Sequence, residues 1–206
     1  DEYWKLFKES GQVQGGFIWD WVDQGLAAEK NGKKYWCWGG DYGPSGTPSD
    51  DNFCMNGIVN PDRTPHPALS HVRYNYQNIE TKYMYDNVQM TNRYEYIDLS
   101  NFKVHGVLTA DGHIVKEFNL PCPKCAPGNV AILSPAWKQD VDFDINKEYL
   151  LVVHYITSKN AIAGVPICTE LASEQLVVQQ PELKYVKEPK ILGEVTKTAN
   201  ERAVTL

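Results

Sequence analysis

Six aspartates between residues 20 and 62, Asp20, Asp23, Asp41, Asp50, Asp51 and Asp62, supply the carboxylates that acid–base chemistry needs. Cleaving a glycosidic bond takes two carboxyl groups at a set separation across it, and the spacing of these six selects no pair. Most of them neighbour Gly, Pro or Ser, where aspartate is a turn and capping residue. Trp19, at the end of an apolar run, offers an indole face that can stack on the apolar side of a sugar ring. The same residue would serve equally as a core tryptophan. Phe53-Cys54-Met55-Asn56-Gly57 reads as a tight turn at Asn56-Gly57. A sharper reading gives the Asn56 side-chain oxygen and a neighbouring carbonyl to a hard cation, which prefers oxygen donors. Cys122-Pro-Lys-Cys125 has the spacing of half a zinc site, but no second half follows. His105 and His113 fall in expected strands, so a loop disulfide or two plain thiols suit Cys122 and Cys125 better. No phosphate-binding glycine loop, nucleophile elbow or His-Glu-x-x-His helix is present.

The elements that must position these residues divide the chain in two. Five of the six tryptophans (Trp4, Trp19, Trp21, Trp36, Trp38) lie in the first 38 of 206 residues, and Trp137 stands alone. Residues 1–10 predict an amphipathic helix carrying Tyr3, Trp4 and Phe7 on one face and stopped by Gly11. Residues 13–21 are almost continuously apolar, as in a strand buried on both faces of a parallel sheet, with Trp19 at its carboxyl end. Residues 24–63 predict a long, aromatic-rich functional loop. Thr64-Pro65 reads as a helix start, with a stripe from Ala68 to Tyr76 behind it.

From Ile79 the pattern changes to short alternating segments, Thr81–Tyr85, Val88–Tyr96, Phe102–Thr109, His113–Asn119, Val130–Leu133, Glu148–Thr157 and Leu171–Val178. Asp111-Gly112 is a hairpin signal among them. Seven strands of this kind predict an antiparallel β-sandwich of immunoglobulin type. The expected architecture is mainly β: a helix–strand–helix piece over residues 1–77, the sandwich over 78–180, and a linker or the start of a further domain over 181–206. A net charge of −6 without a Lys/Arg block argues against nucleic acid and anionic membrane surfaces. No apolar run reaches the ~20 residues of a membrane span.

The motifs themselves resemble a known family. Gln14-Gly-Gly-Phe-Ile-Trp-Asp-Trp-Val-Asp-Gln24, Gly39-Gly-Asp-Tyr-Gly43, Thr47-Pro-Ser-Asp50, Phe53-Cys-Met-Asn-Gly57 and Asp62-Arg-Thr-Pro-His-Pro-Ala-Leu69 occur in the order found in long β-galactosidases of glycoside hydrolase family 2. The resemblance implies that residues 1–77 are the end of a (β/α)8 catalytic barrel followed by an immunoglobulin-like domain. It implies a parent enzyme that hydrolyses terminal non-reducing β-D-galactose with retention, using two glutamates that lie upstream of Gly15. No catalytic residue is assigned within the chain, because Glu2 and Glu9 both sit in the helix. The chain alone is then expected to be inactive.

Matched position by position, Trp19 is the substrate-binding tryptophan of the galactose pocket. Phe53 and Asn56 are sodium ligands, through a main-chain and a side-chain oxygen respectively, with a further aspartate from an upstream domain. Magnesium ligands of the parent are also implied to lie outside this chain. Asp51 departs from the family, whose best-known members carry arginine there. The implied partners are a β-galactoside, the upstream barrel of the same parent chain and further copies in a homo-oligomer. The competing reading is a non-catalytic sandwich module that binds carbohydrate or protein through its aromatic N-terminal part.

Overall fold

The computed structural model describes residues 2–51, 53–160 and 162–182, with backbone only at 198–199 and 204–205. Thr198–Ala199 pairs antiparallel with Val204–Thr205. Most of the 181–206 segment, read above as a linker or new domain, lies outside the described residues.

Helix α1 spans Glu2–Glu9. It buries no residue and is held by edge-to-face aromatics: Trp4 lies 5.7 Å from Phe7 and 4.8 Å from Tyr76. The apolar run 13–21 forms no strand. Phe17 is fully exposed, and Trp19 and Trp21 are 76% and 56% exposed. The expectation of a strand buried on both faces is corrected for a physical reason. A strand exists only where a neighbour completes its hydrogen bonds; residues 13–21 have no ladder partner, and the nearest bridge, Val22 with Val59, lies just beyond the run.

The 24–63 stretch is not without regular structure either. Strands β1 (Leu26–Lys30) and β2 (Lys33–Cys37) pair antiparallel across Asn31-Gly32. Both turn residues have positive φ, 54° and 74°, as a type I′ hairpin turn requires. Helix α2 spans Ala68–Asn75 and begins later than Thr64-Pro65 suggested. Thr64 is instead engaged by Asp62 Oδ1, at 3.0 Å from its N and 2.6 Å from its Oγ1, and Pro65 bridges Val59.

The remainder is a two-sheet sandwich. One sheet has the order β3-β4-β7 and the other β6-β5-β8-β9. The strands are β3 (Ile79–Met84), β4 (Asn87–Asn92), β5 (Phe102–Ala110), β6 (His113–Pro121), β7 (Val130–Ile132), β8 (Tyr149–Thr157) and β9 (Glu170–Gln179). All neighbours are antiparallel. Each of the seven expected segments forms a strand. The turn between β3 and β4 falls on Tyr85-Asp86, both at positive φ.

Strict alternation of buried and half-buried residues along β5 and β8 places Phe102, Val104, Leu108, Tyr149, Leu151, Val153 and Tyr155 in one core. Trp137 closes that core, 1% exposed and edge-on to Tyr83. Gly106 has no room for a side chain, since a Cβ there would lie 2.0 Å from the cross-strand Phe118 ring. Its buried polar groups are paired: Thr81 Oγ1 with the Tyr155 hydroxyl at 2.7 Å, and Asn92 Nδ2 donating to the carbonyls of Ile97 and Cys125, each at 2.8 Å. Burial keeps the Tyr155 hydroxyl protonated well above its ordinary range. Cys122 and Cys125 are free thiols buried in this core. Burial, with Cys125 beside it, pushes the Cys122 thiol up to about 12.

The two parts meet along α2 and β9. Arg73 Nη2 donates to Glu170 Oε1 at 2.8 Å, the Tyr74 hydroxyl to Glu174 Oε2 at 2.9 Å, and the Ser173 amide to Gln77 Oε1 at 3.0 Å.

Candidate functional site

The site is assembled by two extended segments, 19–24 and 54–59, that run against each other and exchange backbone hydrogen bonds. The Asp20 amide donates to the Asn56 carbonyl at 3.0 Å, the Gln24 amide to the Cys54 carbonyl at 2.8 Å and the Asp23 amide to the Val59 carbonyl at 2.9 Å. In return the amides of Ile58 and Val59 share the Trp21 carbonyl, each at 3.1 Å. The segments are so close at Gly57 that a Cβ would lie 2.1 Å from the Asp23 backbone nitrogen and 2.5 Å from the Val22 carbonyl carbon. Only glycine fits there.

Asp23 locks this crossing. It is buried, its Oδ1 accepts the Gly57 amide at 2.7 Å and its Oδ2 lies 2.6 Å from His66 Nε2. The carboxylate thus joins three stretches of chain that are 34 and 43 residues apart in sequence. The turn reading therefore fails for Asp23. It holds for others: Asp41 Oδ2 caps the Trp38 amide at 2.9 Å, the Asp50 carbonyl accepts the Phe53 amide at 3.0 Å, and Asp51 adopts φ 50°. Asp62 belongs with these, its carboxyl held below the usual range by hydrogen bonds from Thr64. Asp20 turns back on its own segment, with Oδ1 taking the Trp21 backbone amide at 2.7 Å and Oδ2 the Gln24 side-chain Nε2 at 2.8 Å.

The crossing brings together residues that the sequence marked separately. Trp19 immediately precedes the Asp20 amide that binds Asn56, across a cis Trp19–Asp20 peptide, and its indole stays open. Asn56 is half-buried and Phe53 is exposed in the same loop. The Phe53 carbonyl and the Asn56 side-chain oxygen, the two cation ligands that the resemblance implies, lie in this loop. Both are neutral oxygens, the donor type a hard cation takes, though they are two of the six or so such an ion needs. Among the described residues no group of three or more His, Cys, Asp or Glu side chains is arranged to hold a metal. Sequence reasoning missed the Asp23–His66–Gly57 lock. Its only sequence trace is that all three residues fall within the motif strings quoted above.

Known proteins match both parts of the chain. Residues 1–81 match the glycosyl hydrolases family 2 TIM barrel domain, and residues 88–179 match β-galactosidase domain 4. The chain belongs to glycosyl hydrolase family 2. It is 52% identical over 81 residues to a β-galactosidase of Pseudoalteromonas haloplanktis, covering 39% of this chain and 8% of that protein. A β-galactosidase of Yersinia enterocolitica is 57% identical over 68 residues, 32% of this chain and 6% of the relative. One from Vibrio cholerae serotype O1 is 39% identical over 132 residues, 64% of this chain and 13% of the relative. The chain therefore matches only a small part of each relative's length. The helices and the 19–24/54–59 crossing lie in the barrel-type segment of this family 2 chain, and β4 to β9 lie in the domain 4 segment.

Proposed function

We propose that this chain is part of a retaining β-galactosidase that hydrolyses terminal non-reducing β-D-galactose residues, and that the crossing of 19–24 with 54–59 forms one wall of its sugar pocket. The observation that carries this reading is the pairing of an open indole at Trp19 with the Phe53–Asn56 loop through the Asp20–Asn56 hydrogen bond. Trp19 supplies a stacking face for the apolar side of galactose. The Phe53 carbonyl and Asn56 side chain are the residues that would hold sodium, an ion that supplies a fixed positive charge beside a sugar hydroxyl. Asp23, through Gly57 and His66, keeps the loop and the indole in register. Magnesium ligands and the aspartate completing the sodium site are assigned to other parts of the parent, which we take to be a homo-oligomer.

The two catalytic glutamates are likewise assigned upstream, so the 206-residue chain on its own is expected to be inactive. A single stacking wall cannot replace a nucleophile and an acid in stabilising the transition state. Turnover of a chromogenic β-galactoside by the purified chain, well above buffer, would overturn that part. In the intact enzyme, Trp19→Ala should lower kcat/KM by about tenfold or more, equivalent to at least ~1.4 kcal/mol of transition-state binding. Asn56→Ala should remove any sodium dependence of KM. Unchanged kinetics in both variants would remove the pocket from this part of the fold.

A further inference from the structure

The chain contains two Asn-Gly pairs in opposite environments, Asn31-Gly32 at the tip of the β1–β2 hairpin and Asn56-Gly57 in the crossing. Asn-Gly is the dipeptide most open to spontaneous deamidation, because glycine leaves its backbone nitrogen unshielded. In that reaction the glycine nitrogen attacks the asparagine side-chain carbonyl carbon and a new C–N bond closes a five-membered imide. Ammonia leaves with the side-chain nitrogen. Water then opens the ring at either carbonyl, leaving aspartate or isoaspartate.

We infer that Asn31 is a deamidation site in the folded chain, whereas the fold, through Asp23, protects Asn56. At the hairpin tip both residues are exposed and a Cβ on Gly32 would meet nothing within 4 Å, so the side chain and the peptide plane have room to approach each other. In the crossing the Asn56–Gly57 peptide is pinned at both ends. Its carbonyl accepts the Asp20 amide at 3.0 Å and its N–H donates to Asp23 Oδ1 at 2.7 Å. Backbone atoms of Val22 and Asp23 press on Gly57 from the side, so the plane cannot rotate toward the asparagine side chain. Ring closure would also strip the hydrogen from the Gly57 nitrogen, leaving a buried carboxylate without that partner. The consequence differs between the two positions. At Asn31 the product adds a negative charge beside Lys30, Lys33 and Lys34, and isoaspartate lengthens the backbone of a two-residue turn. At Asn56 it would alter the side chain proposed above as a cation ligand, although the protection itself does not depend on that role.

The test is a time course of the 206-residue chain at mildly alkaline pH and 37 °C, followed by peptide mapping with mass spectrometry, run native, in urea and as the Asp23→Ala variant. Native chain should gain one mass unit in the peptide containing Asn31 and not in that containing Asn56. In urea both peptides should convert at similar rates. In Asp23→Ala the Asn56 peptide should begin to convert while Asn31 keeps its native rate. Conversion of Asn56 as fast as Asn31 in the native chain would overturn the protection, and so would an Asn56 rate in Asp23→Ala equal to wild type. A native Asn31 peptide that stays unmodified while urea converts it would overturn the hairpin site. Should Asp23→Ala fail to fold, the native-against-urea comparison decides alone. Unchanged galactosidase kinetics in Trp19→Ala and Asn56→Ala would refute the proposed pocket without touching this result.

Discussion

The sandwich and the stretch before it are built on different principles although they share one chain. In the sandwich β4, β5 and β8 hide alternate side chains in a single apolar cluster to which β3, β6 and β9 add Ile79, Phe118, Ala172 and Leu176, and the buried polar groups have partners. Among the described residues before Ile79, only Asp23, Cys37, Ile58 and Val59 are buried. There the order comes from backbone hydrogen bonds between two extended segments, one carboxylate and one hairpin, while Phe17, Trp19 and Trp21 face solvent. Burial of this contiguous apolar cluster is the main stabilising contribution in the sandwich. The earlier stretch has exposed aromatic area of the kind that marks an interaction surface, which under our proposal is covered by the rest of the barrel.

If this contrast is right, mutations in the two parts should uncouple. The largest effect belongs to Trp137→Ala, which empties a site 1% exposed in the core. It should destabilise the sandwich by about 3–5 kcal/mol, read as a shift of the urea midpoint by circular dichroism. A shift near zero would show that the core is not the source of stability. Next comes Asn92→Ala, which removes the side-chain donor to the carbonyls of Ile97 and Cys125. A loss of about 1–3 kcal/mol in the same assay is expected, because the Ile97 carbonyl and the Tyr94 amide lose their Asn92 partner, while the Cys125 carbonyl keeps the Leu99 amide.

Gly57→Ala tests the other part. Overpacking against backbone should cost about 1–3 kcal/mol locally. Amide exchange at Asp20, Asp23 and Gln24 should rise while that of Val104 and Leu151 stays slow, since local opening need not involve the sandwich core. Equal changes in both sets would mean that the two parts fold as one unit.

The smallest effect is a pH effect at the junction. Glu80 on β3 binds Lys82 and Arg93, each at 2.8 Å, with Lys8 of α1 3.9 Å away. Hydrogen bonds from Lys82 and Arg93, with the charge of Lys8 behind them, hold its carboxyl at about 2 against an ordinary 4.5. A depressed carboxylate contributes stability that is full above about 4.5 and is lost as pH falls from there toward about 2. The group is partly exposed and its partners more so, so solvent screening keeps the contribution under about 1 kcal/mol. Glu80→Gln should flatten the dependence of the urea midpoint across that window, and an unchanged slope would remove the network from the account.

How far the sequence could be read differs between the parts for the same reason. In the sandwich, burial alternates with every residue, so β5 and β8 announce themselves locally, and Asp111-Gly112 marks its hairpin with φ 47° and 79°. The hairpin at Asn31-Gly32 carried an equally good signal, hidden by the surrounding glycine and aromatic residues. Residues 13–21 look like a buried strand because apolar content records what a segment is meant to pack against. It does not record whether those neighbours lie within these 206 residues. Asp23 was legible only as one aspartate among six.

What the sequence by itself determined is the succession of local conformations and the family motifs, because strand alternation and turn residues act over a few neighbours. What only the tertiary structure decided is that the segment after Trp19 lies against Asn56-Gly57 and that Asp23 fastens the two. Those contacts join residues some 34 to 43 positions apart. Pairings at that range follow from which backbones approach closely enough to bond, and here that approach depends on the missing side chain of Gly57.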